Sequence, residues 1–426
     1  MTSFPELGVA DPLLRALKSS GYTQPTPIQQ RAIPLLLDGR DLLGIAQTGT
    51  GKTAAFTLPI LQRLSEPSSK RHGRGPSALI LAPTRELAVQ IAASLRGYGK
   101  HLNLRESVIY GGVSQGPQVK ALQRGIDILV ATPGRLLDLI EQGHARLDAV
   151  SIVVLDEADR MLDMGFVRDV RKILATVPKD RQSMLFSATM PKEIAGLAAD
   201  ILKSPVRVEV APTGTAVELV DQRVFHVAAH DKLALLGTLM HDPAMSRVIV
   251  FTRTKHRANK VAQQLARSGI SAAAIHGNKS QSARQAALDQ FRTGRTRVLV
   301  ATDIAARGID VHAVTHIINF ELPNEPETYV HRIGRTARAG ASGSAVSFCD
   351  ASERAHLGDI QKLIRRTIPV ADVPTDTASL SLHPVVREQV HKPAPAAGKR
   401  GGPELKQAAR KRRRSGSRNR PRQAAA

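Results

Sequence analysis

Short, uninterrupted apolar runs recur along the chain, with helix-like stretches between them. The runs are rich in β-branched residues and do not alternate apolar with polar positions, which is typical of strands buried on both faces of a parallel sheet. Seven runs begin at Ser77, Asp127, Ser151, Ser183, Arg247, Arg297 and Thr315. Their alternation with helical segments predicts an α/β fold with parallel sheets covered by helices.

The runs form two series, and the stretch between them is interrupted by Pro and Gly. We therefore predict a first domain over 1–208, a linker over 209–218 and a second domain over 219–370. Nearly every run ends in small, polar or charged residues. Because crossover connections in parallel sheets keep one hand, these strand ends should collect at one edge of each sheet, where ligands bind.

Charge changes the picture, because 60 Lys and Arg against 37 Asp and Glu leave a net charge of +23. This excess indicates a polyanionic partner, nucleic acid before a membrane surface. From residue 391 onward, twelve Lys or Arg face one acid, so +11 of the total lies there. The composition over 371–426 predicts a disordered basic tail.

The remaining composition favours a soluble, cytoplasmic protein. The chain has one cysteine, Cys349, which excludes an intramolecular disulfide framework and suits a reducing compartment. No secretory signal and no run of about 18 apolar residues is visible, so we expect no membrane association.

The segment "AQTGTGKT" at 46–53 matches the phosphate-binding loop, with Ala46 replacing the usual first Gly. Glycines let backbone N–H groups surround phosphate oxygens, the lysine adds charge, and the last threonine can bind Mg²⁺. A glycine-rich turn without function is the alternative, but a predicted strand before it and a helix after it oppose that interpretation. The predicted nucleotide-binding residues are Ala46, Gln47, Thr48, Gly49, Thr50, Gly51, Lys52 and Thr53.

An acidic cluster follows a fully apolar run, although like charges repel and resist burial. Asp156, Glu157 and Asp159 form this cluster. A strand that simply meets water is one explanation. A Mg²⁺ held by Thr53 and nucleotide phosphates is another, with Asp156 as its carboxylate ligand and Glu157 placed to orient and deprotonate the attacking water.

The letters "DEAD" at 156–159 stand among other motifs in an order that resembles the DEAD-box RNA helicase family over roughly residues 3 to 370. The other motifs are "GYTQPTPIQ" at 21, "PTRELA" at 83, "GG" at 111, "TPGR" at 132, "SAT" at 187, "QSAR" at 281, "ATDIAARGID" at 301 and "HRIGRTARAG" at 331. The resemblance implies two tandem RecA-like domains. The absence of Trp and the Ala- and Arg-rich composition are similar to bacterial RhlE-type enzymes.

For the nucleotide, the resemblance implies a Q motif over 3–30, in which Gln29 reads the adenine edge. Phe4 would stack on the adenine ring, although an ordinary core aromatic is the alternative. Asp310 would contact the ribose, and His331 would join the polar network near the carboxylates.

Across the two domains, the resemblance makes Arg335 and Arg338 arginine fingers that neutralise charge on the γ-phosphate. Ala337 replaces the family's usual Gly between them and leaves both in register.

For RNA, the resemblance implies contacts with the sugar-phosphate backbone from both domains. The first-domain residues are Arg85, Gly112, Thr132, Gly134 and Arg135. The second-domain residues are Arg253, Gln281 and Thr302. Each arginine alone could be a solvated surface residue. Backbone contacts would make binding largely independent of sequence and dependent on salt.

The "SAT" residues Ser187 and Thr189 resemble the link between nucleotide state and RNA grip, through hydrogen bonds to Asp159. A strand end that caps a helix is the competing interpretation.

These patterns predict an ATP-dependent RNA helicase with ATP and Mg²⁺ as cofactors. RNA would stimulate hydrolysis, and domain closure would unwind short duplexes and remodel RNA–protein complexes in ribosome assembly or RNA turnover. Ribosomal or degradosome proteins are candidate partners, and we expect a monomer. A non-enzymatic ATP-gated RNA clamp and a DNA helicase are the rivals, and a nuclear localisation signal is the alternative for the tail.

Overall fold

Two parallel β-sheets organise this protein in the computed structural model, which describes residues 2–47, 49–66, 75–210, 220–306, 311, 313–336 and 343–374. We call 2–210 the first lobe and 220–374 the second lobe; both belong to one compact unit. Every strand pair within the two sheets is parallel, which confirms the predicted architecture.

The first lobe contains a seven-stranded sheet of order β3-β4-β2-β5-β6-β1-β7. Its strands are β1 Leu42–Ile45, β2 Ala78–Leu81, β3 Glu106–Ile109, β4 Ile128–Ala131, β5 Ile152–Leu155, β6 Gln182–Ser187 and β7 Val206–Glu209. Its helices are α1 Asp11–Ser19, α2 Pro27–Leu37, α3 Lys52–Ser65, α4 Arg85–Tyr98, α5 Gly116–Gln123, α6 Pro133–Glu141, α7 Ala158–Asp163, α8 Val167–Ala175 and α9 Lys192–Ile201, after a short 3-10 helix at Pro5–Leu7.

The second lobe contains a six-stranded sheet of order β10-β11-β9-β12-β13-β8. Its strands are β8 Val220–His226, β9 Val248–Thr252, β10 Ala272–Ile275, β11 Val298–Thr302, β12 His316–Asn319 and β13 Gly343–Cys349. Its helices are α10 Lys232–Leu239, α11 Lys255–Arg267, α12 Gln281–Arg292, α13 Asp303–Ala306, α14 Pro326–Ile333 and α15 Arg354–Ile364, with a 3-10 helix at Ala351–Glu353.

Both faces of the central strands are buried, which explains their continuous apolar runs. In β2, Ile80 joins the core cluster on one face of the sheet, and Leu79 joins the cluster on the other. The second lobe repeats the arrangement in β9, where Ile249 and Val250 enter different clusters. Helices on both faces supply the partners for these side chains.

The strands that sequence patterns did not predict include both outer strands next to the domain boundary, β7 and β8. The predicted first domain ends at 208 and the predicted linker begins at 209, yet β7 continues to Glu209. Both strands lie at the outer positions of their sheets and mix buried with exposed residues. Such strands lack the unbroken apolar run by which central strands are recognised.

The boundary between the lobes lies between Glu209 and Val220, and residues 211–219 of the predicted linker lie outside the described residues. The second lobe continues slightly past its predicted end at 370, since Ala371 N donates to Val224 O at 2.9 Å. Of the predicted tail, 375–426 lies outside the described part. Within the described ranges, no helix has the length and apolar character needed to cross a membrane.

Candidate nucleotide and RNA site

The strand order sorts the sequence motifs into two groups along the carboxyl edge of the first sheet. The phosphate-binding loop, the acidic cluster and "SAT" follow β1, β5 and β6, which are neighbours. "PTRELA", "GG" and "TPGR" follow β2, β3 and β4, which are neighbours as well. One half of the edge therefore carries the motifs that are expected to bind nucleotide, and the other half carries those expected to bind RNA.

The loop after β1 is held by the segment before α2. Gly51 has φ +93° and precedes α3. A Cβ there would lie 2.4 Å from Gln29 Nε2 and 2.9 Å from Thr26 Oγ1, so only glycine fits. Gln29 Nε2 donates to Gly51 O at 3.1 Å, while its Oε1 accepts from Thr26 N at 2.9 Å. The side chain expected to read adenine is here 1% exposed and anchors the loop.

The lysine of the loop begins α3 and turns its ammonium back to the strand end. Lys52 is 6% exposed, and its Nζ donates to Ala46 O at 2.6 Å. Thr53, the expected Mg²⁺ ligand, is the second residue of the same helix. Of the predicted loop residues, Thr48 lies outside the described residues.

The first acid after β5 is buried at an energetic cost. Asp156 is 2% exposed, and its Oδ1 accepts from Glu157 N at 3.0 Å. Burial raises the pKa of Asp156 to about 7; the Lys52 ammonium opposes the rise, and neighbouring carboxylates add to it. A cation beside this carboxylate would offset the cost of ionising it.

The second acid is paired with an arginine that the sequence patterns did not single out. Glu157 adopts φ +54° before α7, and its Oε2 accepts from Arg160 Nη1 in a buried ion pair. Burial raises the pKa of Glu157, but Arg160, Lys52 and Arg335 together outweigh burial and lower it. The carboxylate is therefore ionised, and its pairing with Arg160 weakens it as a base.

The third acid joins the acidic cluster to the end of β6. Asp159 Oδ2 accepts from Ala188 N at 3.1 Å, and from Thr189 N at 2.9 Å and Thr189 Oγ1 at 3.0 Å. Asp159 N donates to Ser187 Oγ at 3.2 Å. The structure thus contains the hydrogen bonds between "SAT" and the acidic cluster on which the coupling hypothesis depends.

A cavity of about 1030 Å³ lies between the lobes, and both contribute to its walls. Lys52, Glu157 and Arg160 line it from the first lobe, and His331 and Arg335 from the second. Arg335 is 8% exposed, and its Nε donates to His331 O at 3.2 Å. The cavity therefore combines phosphate-binding, carboxylate and arginine groups from two distant parts of the chain.

Three other residues were expected at the nucleotide. Arg338 and Asp310 lie outside the described residues. Phe4 is 3% exposed within the core cluster that also contains Leu7 and Val9. Its position in this structure is that of a core aromatic, the alternative interpretation of the sequence, and adenine stacking stays a prediction.

The first-lobe residues expected at RNA lie around the ends of β2, β3 and β4. Gly112 has φ +77°, and a Cβ there would lie 2.2 Å from Arg85 Nη1, so glycine allows the guanidinium to cover the backbone. Arg135 donates from Nη1 and Nη2 to Val113 O at 3.3 and 3.4 Å. Thr132 and Gly134 stand at the beginning of the same helix, α6.

The second-lobe residues expected at RNA follow β9, β10 and β11, again three neighbouring strands. Thr302 ends β11, and Arg253 follows β9. Arg253 Nη2 contacts Glu353 Oε1 at 2.8 Å, and Nη1 donates to Asn324 Oδ1 at 3.3 Å. The carboxylate of Glu353, which no sequence motif indicated, therefore positions this arginine.

Gln281 contacts the first lobe, where the sequence had indicated RNA alone. Its Nε2 donates to Glu86 Oε1 at 3.2 Å, and its Oε1 accepts from Arg85 Nη1 at 3.3 Å. Arg284 Nη2 forms an ion pair with the same Glu86 oxygen at 2.8 Å. Both Glu86 and Arg284 belong to motifs quoted above, and their opposite charges were the signal that could have paired them.

Comparison with known proteins agrees with this geometry. One family model, DEAD/DEAH box helicase, matches residues 26–197, and another, Helicase conserved C-terminal domain, matches 231–340. The ATP-dependent RNA helicase DBP2 of Candida albicans is 43% identical over 377 residues, which cover 87% of this chain and 67% of that protein. The chain belongs to the DEAD-box family.

A second relative and a solved structure are also similar to this DEAD-box helicase over most of the chain. The DEAD-box ATP-dependent RNA helicase CshA of Bacillus cereus is 43% identical over 375 residues, covering 88% of this chain and 70% of that protein. The structure of S. cerevisiae Dbp5 bound to RNA and ADP BeF3 matches with a TM-score of 0.76 and 34% identity, over 89% of this chain and 97% of that one. The protein is an ATP-dependent RNA helicase with two tandem RecA-like domains; the resemblance to RhlE-type enzymes stays a prediction.

Proposed function

We propose that this helicase couples RNA-stimulated ATP hydrolysis to local unwinding of short RNA duplexes and to remodelling of RNA–protein complexes. The observation that carries the proposal is the cavity between the lobes. Lys52 and Glu157 of the first lobe and Arg335 of the second line it together. Groups from both lobes are needed to complete such a site, so hydrolysis would report whether the lobes are closed.

In the proposed reaction, Lys52 and the loop amides bind the ATP phosphates, and Glu157 orients and deprotonates the attacking water. Glu157 can do so only if its carboxylate is released, at least in part, from Arg160. Arg335 faces the same cavity and would stabilise negative charge that develops on the γ-phosphate. Arg338 would act beside it.

Thr53 and Asp156 would hold Mg²⁺. A hydroxyl and a carboxylate are oxygen ligands of the kind that Mg²⁺ prefers, and the buried Asp156 carboxylate gains from a neighbouring cation. Nucleotide phosphates and water would supply the other ligands. The ion would neutralise phosphate charge during hydrolysis.

RNA would lie across both lobes, on the halves of the sheet edges that carry Arg85, Arg135, Arg253 and Thr302. Contacts with the sugar-phosphate backbone would give little sequence preference and strong salt dependence. Closure of the lobes would bend one strand so that a short duplex cannot persist. We propose a cytoplasmic monomer that acts in ribosome assembly or RNA turnover, with ribosomal or degradosome proteins as partners.

The test compares steady-state ATP hydrolysis without nucleic acid, with single-stranded RNA and with DNA of the same sequence, beside strand separation of a short labelled RNA duplex. The proposal expects stimulation by RNA and ATP-dependent separation of the duplex. Equal stimulation by DNA would favour the DNA helicase. ATP binding without hydrolysis would favour the non-enzymatic clamp.

A further inference from the structure

The second lobe contains a buried arginine that no predicted role explains. Arg332 lies on α14, is 1% exposed, and has its guanidinium 5.0 Å from the centre of the Phe251 ring. A buried guanidinium requires partners for its N–H groups, because an unpaired buried charge is strongly unfavourable. The identity of those partners shows what Arg332 holds together.

The main partner of Arg332 is Asp303, directly after the last residue of β11. Arg332 Nε donates to Asp303 Oδ1 at 2.5 Å, and Nη2 donates to Asp303 Oδ2 at 2.8 Å. This two-point geometry fixes direction as well as distance. The Asp303 side chain is 23% exposed, so one end of the pair is buried and the other reaches the carboxyl edge of the sheet.

Arg332 also binds the end of β12, which is separated from β11 by β9 in the sheet. Its Nη1 donates to Asn319 Oδ1 at 3.1 Å and to Glu321 O at 2.7 Å. The guanidinium is therefore fixed on both sides, and the helix that carries it cannot shift against β11 and β12 without breaking several hydrogen bonds. In a packed interior such an element responds by discrete movement and not by gradual deformation.

The backbone of Arg332 contacts Arg335, the expected arginine finger. Arg335 N donates to Arg332 O at 3.1 Å, one helical turn after the buried arginine. A small cavity of about 20 Å³ is lined by Asp303, Arg332 and Arg335 together. The chain of contacts thus runs from Thr302, the expected RNA contact, through Asp303 and Arg332 to Arg335.

We propose that Asp303 and Arg332 form a positioning pair that transmits RNA contact at the end of β11 to the arginine finger. RNA at Thr302 fixes the adjacent Asp303, Asp303 orients Arg332, and Arg332 sets where Arg335 enters the nucleotide cavity. The pair is the second-lobe counterpart of the first-lobe junction in which Asp159 accepts from Thr189 and donates to Ser187. The inference rests on the proposed coupling of RNA binding to hydrolysis, and it assigns that coupling to named residues.

The test uses Asp303→Asn in the full chain, which keeps the size of the side chain but removes its charge and turns an N–H donor toward the guanidinium. The matched control is Asp221→Asn, the same change at an exposed ion pair with Arg223 on β8. We expect kcat at saturating RNA to fall about tenfold to a hundredfold in Asp303→Asn, because a displacement of about 1 Å in a catalytic group has effects of that size. The RNA and ATP concentrations at half-saturation should stay within about threefold of the values for the original protein, because the substitution does not remove a contact with either bound ligand.

Asp303→Glu restores the charge and should recover part of kcat, which a loss of folding alone would not do. Thermal unfolding of each variant separates the two cases. The inference is overturned if Asp303→Asn keeps kcat within about twofold of the control, or if kcat falls only in proportion to folded protein. If the unaltered protein shows no stimulation by RNA, the proposed function itself fails, and that result is distinguishable because it does not depend on any variant.

Discussion

At the scale of single residues, the nucleotide site depends on one position where no side chain fits. Gly51 combines a left-handed backbone conformation with a Cβ position 2.4 Å from Gln29 Nε2. The two effects are separate: the conformation costs any L-residue about 1–2 kcal/mol, whereas the collision depends on the neighbour. The collision involves the residue that clamps the loop, so relief of one contact would break another.

We predict that Gly51→Ala lowers the affinity for ATP by at least about tenfold. The alanine would displace Gln29, and a loss of only about 1.4 kcal/mol of binding free energy lowers affinity tenfold. Equilibrium binding of a fluorescent ATP analogue measures the loss. Gly143→Ala is the control, since Gly143 has φ +73° and nothing within 4 Å of its Cβ position. Equal losses in the two variants would show that backbone strain, and not the contact with Gln29, sets the affinity.

Glu157 carries the second prediction at this scale. Glu157→Gln keeps the size of the side chain but removes the carboxylate that would accept the proton of water. We expect turnover to fall by about 10²–10⁴-fold while ATP binding is kept. Steady-state hydrolysis with saturating RNA provides the measurement, and Glu209→Gln, which alters an exposed ion pair, is the control. Near-normal turnover would remove Glu157 from the role of base.

At the scale of elements, hydrogen bonds join the segments that follow β5 and β6. Asp159, in the first turn of α7, accepts three hydrogen bonds from the residues that follow β6. Two of the donors are backbone amides, and one is the hydroxyl of Thr189. The backbone amides connect the strands whatever the side chain, so the hydroxyl is the part that substitution can remove without unfolding the junction.

Thr189→Val removes this hydroxyl and keeps the shape of the side chain. We expect duplex separation to fall by about fivefold or more, the size of a typical coupling energy, while RNA-stimulated hydrolysis changes much less. Parallel assays of hydrolysis and strand separation on one preparation give the ratio. Thr176→Val, whose hydroxyl binds only Ile173 O within its own helix, is the control. A fall in hydrolysis as large as the fall in strand separation would contradict a coupling role.

At the scale of the whole molecule, the lobes meet through a polar contact beside the motifs that are expected to bind RNA. Glu86 of the first lobe is 4% exposed and accepts from Gln281 and from Arg284 of the second. The contact stands next to Arg85, an expected RNA ligand. Arg85 and Gln281, which are both expected to bind RNA, therefore belong to the contact between the lobes, and we expect RNA binding and this contact to favour each other.

Arg284→Gln weakens this contact without touching the nucleotide cavity. We expect RNA-stimulated kcat to fall about tenfold, since breaking a buried ion pair shifts the balance between open and closed lobes. ATP affinity without RNA should change little. Arg292→Gln on the same helix, where the arginine pairs locally with Asp289, is the control. Equal effects of the two substitutions would mean that the contact between lobes does not limit turnover.

The basic tail supplies the last prediction. Truncation at about residue 390 removes twelve Lys or Arg and one acid. We expect weaker RNA binding and a flatter dependence of affinity on salt, because each lost phosphate contact lowers the slope by roughly 0.7 for single strands. Binding isotherms over a range of salt concentrations measure both. An unchanged slope would mean that the tail does not contact RNA.

Sequence alone was sufficient for most of the central strands, such as β2, β5 and β9, and for the motifs at their ends. Runs such as Leu79 to Leu81 are apolar throughout because both faces are covered. The position of the motifs at one edge of each sheet follows because crossover connections keep one hand, whereas the order of the strands was known only from the structure. The phosphate-binding loop was recognisable for a similar reason, because its glycines and lysine act through local backbone geometry. These features depend on residues close together in the chain.

Tertiary structure decided whatever depends on partners far apart in the chain. The outer strands β7 and β8 form because their backbones pair with β1 and β13, which lie far away in the sequence. Glu86 meets Arg284, and Asp303 meets Arg332, across intervals that no periodicity encodes. Phe4 entered the core because burying an aromatic ring is favourable wherever space exists. Local sequence patterns predict the backbone conformation of each segment. Charge pairing and packing are determined only when the folded chain brings distant side chains within contact distance.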